Sequence, residues 1–355
     1  MPDVDGMLRI SKRSARALTL VAAGLASVAL ARDVVRRVRR LDMRGRVVLI
    51  TGGTRGLGLL LAEEVGRLGA RVAICGRDPA AVTRARQRLN TLGVEVHALS
   101  CDLGAREEAE AFVDSVVDAF GGIDVVINNA GAIQVAPMQD LGLEAIEESM
   151  RANFWSAVYV TLRALPYLRE EGSGGRVVNI TSLGGRVGLP HLTPYTAAKF
   201  AFVGFSEAMH AELASAGVKV TTVVPGLMRT GSIYNAEFAG QATREFAWFA
   251  AATSMPLLSI SARRAARHIV RAMRDGRAEA RLGATAHAVS FVHGIAPGLT
   301  ARIMALTARL LPKPAGQHEP TRGRDLRSPL QGTVITRLSD RAARQNNEAP
   351  PPQAR

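Results

Sequence analysis

The chain is short of cysteine, lysine and aromatic residues, and each shortage removes a class of explanation. Cysteine occurs twice in 355 residues, at Cys75 and Cys101, both at the ends of apolar runs. Two thiols do not make a disulfide framework, so the expectation is a reducing compartment with both side chains acting as small buried hydrophobes. No Cys/His cluster has metal-ligand spacing: His287 and His293 are six apart and point to different helix faces, so no structural metal is expected. Aromatics supply 5% of the residues, and no basic–aromatic patch of the kind that binds nucleic acid is present. Long apolar runs are also missing. The one at residues 17–31, "ALTLVAAGLASVALA", would span about 22 Å as a helix, short of the roughly 30 Å hydrocarbon core of a bilayer.

Positive charge is in excess, at a formal +14. It sits on two arms: residues 1–46 carry a net +7 and residues 314–355 a net +3, leaving +4 for everything between. Lysine stands only at positions 12, 199, 219 and 313, so the excess is arginine, which a coding bias explains as readily as a function. Around the run at 17–31 three readings stay open. A helix lying in a membrane interface through residues 12–40, its flanking arginines meeting anionic lipid, is one. A helix packed on the protein or a partner subunit is another. The third is an exported leader, since "ALA" at 29–31 resembles a cleavage site.

The body reads as alternating β and α. Strand candidates at 46–51, 71–75, 94–99, 124–128, 176–181, 218–224 and 277–282 are separated by stretches of helical period. That alternation predicts repeated βαβ units and a seven-stranded parallel sheet, doubly wound, with helices on both faces. Four regions follow: a basic arm (1–45), the α/β domain (46–283), an apolar helical extension (284–312) and a tail (313–355). The tail, rich in Pro, Arg and Gln, is expected to be largely disordered, with an ordered piece near 333–345 as an option.

"VLITGGTRGLGLLLAEEVGRLG" (48–69) is a strand, a glycine turn and a helix. Gly52, Gly56 and Gly58 let backbone approach a pyrophosphate, and the helix N-terminus then faces the anion. No Gly-Lys-Ser/Thr follows, which disfavours a Walker-type loop. The second strand ends "VAICGRD" (72–78), with Gly76 where an NAD site wants a carboxylate for the ribose 2′-hydroxyl. Arg77 and Arg55 instead suit a 2′-phosphate, because guanidinium chelates phosphate oxygens. NADP(H) is therefore favoured over NAD(H), and Asp78 is read as the cap of the next helix.

"YTAAK" (195–199) sets a phenol and an ammonium on one helix face. A free phenol, with a pKa near 10, is a poor proton donor at neutral pH, and a neighbouring cation favours the tyrosinate. With "TGGTRGLG" (51–58), "CDL" (101–103), "NNAG" (128–131), "AN" (152–153), "ITS" (180–182) and "PGLMRT" (225–230), in order and spacing, the chain resembles the short-chain dehydrogenase/reductase family over roughly 46–283. The resemblance implies a Rossmann-like fold and a carbonyl–alcohol oxidoreductase. It makes Tyr195 the general acid/base, Ser182 the residue that orients the carbonyl, and Lys199 a ribose ligand that also tunes Tyr195. Asn153 would hold a relay water. It also implies cofactor contacts at Gly52, Thr54, Arg55, Gly56, Leu57, Gly58, Arg77, Asp102 and Leu103, with Asn129 tying strands together. Ala130, Gly131, Tyr195, Lys199, Pro225, Gly226 and Thr230 complete that set, and a homodimer or homotetramer in the cytoplasm is expected.

Residues 227–260 should cover the substrate. "FAWFAAATSMPLL" (246–258) and Phe238 make this a greasy flap, which fits a lipid-like carbonyl, a helix packed on its own core, or one resting on a membrane. His191 is read as an exposed loop histidine rather than a substrate contact. The alternative to an enzyme is a membrane-tethered scaffold or sensor that binds dinucleotide without turnover.

Overall fold

The structure, a computed structural model, describes residues 40–170, 174–255, 259–326, 333 and 336–348. The chain divides into residues 1–41 and 42–355, and the fold below belongs to the second unit. The apolar run 17–31 lies outside the described residues, among which no helix is long and apolar enough to cross a membrane.

Among the described residues twelve strands occur, in chain order: β1 Val47–Ile50, β2 Arg71–Gly76, β3 Val96–Ser100, β4 Val125–Asn128, β5 Gln134–Val135, β6 Arg176–Ile180, β7 Lys219–Pro225, β8 Leu227–Arg229, β9 Glu237–Phe238, β10 Ser259–Ser261, β11 Glu279–Leu282 and β12 Thr321–Arg322. Seven of them form one parallel sheet in the order β11-β7-β6-β4-β1-β2-β3. All seven expected strands are there, within a residue or two of their expected ends. The near-continuous β-branched and aliphatic runs of the five inner strands, β1, β2, β4, β6 and β7, are what a sheet buried on both faces requires. The chain runs outward from β1 to β3, then returns to build on the other side of β1 from β4. The direction therefore switches between β1 and β4, where a crevice opens at the strand ends.

The helices are α1 Gly56–Gly66, α2 Pro79–Thr91, α3 Arg106–Phe120, α4 Leu143–Met150, α5 Ser156–Leu168, α6 Thr193–Leu213, α7 Ala242–Ser254, α8 Ala262–Arg274, α9 Ala284–Ile295, α10 Pro297–Ala308 and α11 Arg337–Gln345. On one face Val47, Leu49, Ala73, Cys75, Val126, Val177 and Val220 lie under Phe112, Val113 and Val116 of α3, Val160 and Ala164 of α5, and Met209 of α6. Truncating Phe112, which is fully buried, to alanine would cost about 3–5 kcal/mol. On the other face α8 lies against α1. Its buried positions, 262, 265, 266, 269, 270, 272 and 273, follow the helical period apart from the small Ala272, while Arg263, Arg264, Arg267, Arg271 and Arg274 take the opposite side. Asp78 caps α2 as expected, accepting from the Ala80 N–H at 3.0 Å.

A polar seam crosses the middle of the sheet. Asn128 on β4 donates to Thr161 Oγ1 of α5 at 2.7 Å and to Asn179 Oδ1 of β6 at 2.9 Å. Asn179 donates to Ser206 Oγ of α6 at 2.9 Å, and Ser206 shares a 2.7 Å hydrogen bond with Thr222 of β7.

Beyond the strand ends sits a cap. Its pieces are the parallel pair β8–β10, the three strands β12-β9-β5, and α7. Composition assigns 313–355 mostly to disorder, with an ordered piece near 333–345 as an option; the described part of this tail makes the following contacts. Ala315 and Gly316 donate to buried Asp140 at 2.9 and 2.7 Å, and β12 pairs antiparallel with β9. Ser339 of α11 hydrogen-bonds Ser254 of α7 at 2.7 Å. The tail has few bulky apolar residues because it is held by backbone and polar contacts to the cap instead. The extension 284–312 is a helical pair broken at Ala296–Pro297, where proline excludes a continuous helix. It exposes Phe291, Ile295, Leu299, Leu306 and Leu310.

Candidate active site

The crevice at the switch point is built first from the β1 turn. Thr51 Oγ1 accepts from the N–H groups of Asn129 and Ala130 at 2.9 and 3.0 Å, and Asn129 Nδ2 donates to the Thr51 and Gly52 carbonyls at 3.1 Å each. Asn129 thus ties β4 to the glycine turn. Glycine is required here by space. A Cβ on Gly58 would lie 2.2 Å from the Gly52 carbonyl oxygen, and one on Gly52, where φ is +61°, 3.0 Å from Ala130 Cα. Gly76 has the same reason: its Cβ would meet Thr54 Oγ1 at 2.5 Å.

Helix α6 places Tyr195 and Lys199 one turn apart, facing the end of β6. Lys199 is buried, donates to the Ile180 carbonyl at 3.2 Å, and stands 5.7 Å from the Tyr195 ring centroid. Ser182 lies just past β6 in extended backbone, and its Oγ accepts from the Gly184 N–H at 3.0 Å. Helices α4 and α5 join through a wider π-type turn, Arg151–Trp155, which turns Asn153 inward. There Asn153 Nδ2 donates to the Ala132 carbonyl at 2.9 Å, and its Oδ1 accepts from the Ala132 N–H at 3.2 Å. A Cβ on Gly131 would fall 2.7 Å from Asn153 Oδ1 and 3.6 Å from Lys199 Nζ, so this glycine keeps the space between them open.

The electrostatics differ from the sequence expectation. Burial pushes the Tyr195 phenol up, and the hydrogen bond from Ser182 pulls it back. Burial also pushes Lys199 down to about 7. The expected lowering of the phenol by the Lys199 cation is not the governing influence in this state. The ammonium has lost its own solvation and is turned to a carbonyl.

One cleft brings nearly all the expected residues together. Gly52, Thr54, Arg55, Leu57 and Arg77 line it with Asp102, Leu103, Asn129, Ala130 and Gly131, and so do Asn153, Ser182, Tyr195, Lys199, Pro225, Gly226 and Thr230. Gly56 and Gly58 do not line it; they lie buried beneath, shaping the turn. Among the described residues no group of three or more His, Cys, Asp or Glu could hold a metal ion.

His191 is a correction. It is not an exposed loop residue: its Nδ1 lies 2.9 Å from Glu245 Oε2, an oxygen that also accepts from Trp248 Nε1 at 2.7 Å. The reason is α7, whose buried Glu245 comes down onto the loop before Tyr195 and needs partners. The greasy flap is likewise mostly self-packed. Phe238, Phe246 and Phe249 cluster with Val135, Leu192 and Ile233, and Phe249 also borders the cleft. Sequence reasoning missed Asn235 and Glu348, which line the cleft beside Arg55, whose Nη1 donates to Asn235 Oδ1 at 3.1 Å. Neither belongs to a periodic stretch or a motif, so no local signal marks them.

The comparisons agree with this geometry. The family model described as short chain dehydrogenase matches residues 46–237. A putative ketoacyl reductase of Streptomyces coelicolor is 37% identical over 186 residues, covering 52% of this chain and 71% of that one. The putative oxidoreductase SadH of Mycobacterium tuberculosis is 33% identical over 267 residues, covering 74% of this chain and 95% of its own. Among solved structures, an actinorhodin polyketide ketoreductase variant with NADPH superposes with a TM-score of 0.60 at 28% identity, covering 68% of this chain and 97% of that chain. L-Sorbose reductase from Gluconobacter frateurii, complexed with NADPH and L-sorbose, gives 0.60 at 23% identity and shares the fold. With the sheet order, the glycine turn and the Ser182–Tyr195–Lys199 cluster in one crevice, the chain belongs to the short-chain dehydrogenase family of oxidoreductases, enzymes that act on carbonyl and CH–OH groups.

Proposed function

We propose that the protein is an NADPH-dependent reductase that interconverts a carbonyl and an alcohol on an apolar substrate. The observation that carries this reading is the convergence of Asn153, Ser182, Tyr195 and Lys199 on the wall of the cleft whose other wall is the Gly52–Gly58 turn. The cleft fits a dinucleotide, since Gly52 and Gly131 line it with bare backbone, and a Cβ on Gly131 would take up the space beside Asn153 Oδ1 and Lys199 Nζ. Gly52, Leu57 and Thr230 would hold the phosphates, Asp102 and Leu103 the adenine, and Tyr195 and Lys199 the nicotinamide ribose. When bound, the reduced nicotinamide supplies the hydride.

The chain's own residues supply the rest. Ser182 Oγ donates a hydrogen bond to the substrate oxygen and fixes its direction. The Tyr195 hydroxyl donates the proton as negative charge develops on that oxygen, which is general-acid catalysis. Lys199, beside the phenol, stabilises the phenolate left behind, and Asn153, bridged to Ala132, holds the path along which that proton is replaced. NADPH is preferred on this reading because Gly76 offers no carboxylate while Arg55 and Arg77 both face the cleft. Ile133, Leu189, Leu192, Met228 and Phe249 give the substrate end an apolar lining. This favours a lipid-like ketone, in keeping with relatives named as ketoacyl reductases.

Purified protein screened against ketones graded by chain length, with NADPH oxidation followed at 340 nm, tests the reading. Turnover that rises with chain length and vanishes in Tyr195→Phe supports it. Retained turnover in that variant overturns the catalytic assignment. Cofactor binding with no turnover on any ketone or alcohol would favour the dinucleotide-binding scaffold.

A further inference from the structure

The N–H groups at the head of α1 are suited to an anion, yet this chain's own tail reaches them. The Gly56 N–H donates to the Asn346 carbonyl at 2.8 Å. Asn346 Nδ2 donates in turn to the Thr230 carbonyl at 3.0 Å. Asn347, in left-handed backbone with φ +57°, donates to the Thr54 carbonyl at 2.8 Å and accepts from Arg84 Nε at 2.7 Å. Glu348 is 7% exposed and receives two hydrogen bonds from Asn235 Nδ2, one on Oε2 at 2.7 Å and one on its carbonyl at 2.9 Å. Its Oε2 lies 3.9 Å from Arg55 Nε. Its Oε1 lies 2.3 Å from where a Cβ on Gly56 would be, a point itself 4.0 Å from Thr230 Cβ. The carboxyl group thus fills the gap between Gly56 and Thr230, the same gap the dinucleotide's phosphates need.

We infer that residues 346–348 are an internal competitor of the dinucleotide: the tail seats a carboxyl group and a backbone carbonyl in the phosphate site and must leave before a cofactor enters. The inference rests on the proposed reading of the cleft as a dinucleotide site. Its steric core is simple, because one N–H and one gap cannot serve two occupants. Helix α11 keeps the competitor close, so its effective concentration is high without tight contacts. Its anchors are the Ser339–Ser254 hydrogen bond and Ala343 packed on Gly231, where any Cβ would come within 2.3 Å of Ala343 Cα. A tail seated nine-tenths of the time lowers apparent cofactor affinity about tenfold.

The test compares NADPH affinity, by fluorescence titration, in the full chain, a form ending at residue 335, and Glu348→Arg, which sets like charges together at Arg55. Hydrogen exchange on the full chain runs alongside. Both variants should bind NADPH about tenfold more tightly or better. The Asn346 and Glu348 amides, which donate to the Ala342 and Ala343 carbonyls, should be protected without ligand and lose that protection with saturating NADPH. Equal or weaker binding in both variants, or tail protection that survives saturation, overturns the inference. If no form binds NADPH or NADH, the dinucleotide reading fails, and inorganic pyrophosphate then decides the tail. Deprotection of those two amides by pyrophosphate upholds competition for an anion, and unchanged protection ends it.

Discussion

Lys199 Nζ donates to the Ile180 carbonyl at 3.2 Å, two residues before Ser182 on the same chain path. Burial holds this lysine's pKa down at about 7, below its unfolded value of 10.5. The unfolded chain therefore binds more protons between those values, and stability climbs as pH rises through that window. Urea unfolding of the ligand-free protein at pH 7 and pH 9 should show this rise, and Lys199→Met should remove it. An unchanged slope in the variant would mean that the ammonium is solvated in solution.

Tyr195→Phe removes the proton donor without disturbing packing. Turnover is expected to fall by about 10²- to 10⁴-fold while NADPH still binds, weakened only by loss of the one hydrogen bond from the phenol to the nicotinamide ribose. Steady-state rates and a binding titration on one preparation separate the two effects.

Glu63 on α1 is buried and meets Arg67 at 2.9 Å and Arg263 at 3.2 Å, with Arg88 also in contact. Burial alone would raise its pKa, but Arg88, Arg67 and Arg263 outweigh it and the carboxyl titrates below its usual range. Its contribution is present above pH 4.5 and is lost on acidification below that. Glu63→Gln should cost about 2 kcal/mol at neutral pH, a figure kept small because the arginines are partly solvated, and nothing in strong acid. Urea midpoints at pH 7 and pH 3 read the difference.

Gly58→Ala sets a methyl 2.2 Å from the Gly52 carbonyl oxygen, a backbone atom that cannot swing aside. The turn must open. NADPH binding should be lost and the melting temperature should drop, by about 1–3 kcal/mol in stability terms. Gly122→Ala, where a Cβ meets nothing within 4 Å, is the control.

Cofactor affinity should also depend on pH through the tail. Burial raises Glu348 to about 7, against Arg55 and Asn235, which pull it down. Arg84 and Arg88 also reach the segment, through Asn347 and the Gln345 carbonyl. A raised pKa in the seated form means that seating is favoured in full below pH 4.5 and weakens as pH passes about 7. NADPH should therefore bind more tightly at pH 8 than at pH 5.5, and Glu348→Gln should lose this part of the dependence. Titrations of both proteins at the two pH values isolate it.

How legible was the molecule from its residues? The strands ending at Ile50, Gly76, Asn128, Ile180 and Pro225 were readable because runs buried on both faces are apolar throughout, and the pieces they carry fall at fixed offsets. Tyr195, Lys199 and Ser182 followed from helix and strand geometry with the motif order. The cap was not readable: β5, β8, β9, β10 and β12 are two or three residues long and exist only through pairing at a distance. Glu245 and His191 are 54 residues apart, and a hydrogen bond of that kind leaves no local trace. The tail's contacts were not readable because composition reports only a lack of apolar surface, while residues 315–316 and 346–348 make hydrogen bonds to distant parts of the chain.

The seam from Asn128 through Asn179 and Ser206 to Thr222 gives the molecule a division of labour under mutation. Each member satisfies a neighbour that no water can reach, so a single replacement leaves a stranded donor or acceptor, and sliding β6 by one residue strands several together. Helix α6 is clamped in azimuth by the same chain, and with it the phenol and the ammonium. Diversification toward new substrates is therefore channelled away from the sheet and into residues 232–255, where packing is apolar and a swap of volume is tolerated. A library confined to that window should yield altered specificities in folded protein, whereas one aimed at the seam should yield mostly insoluble material.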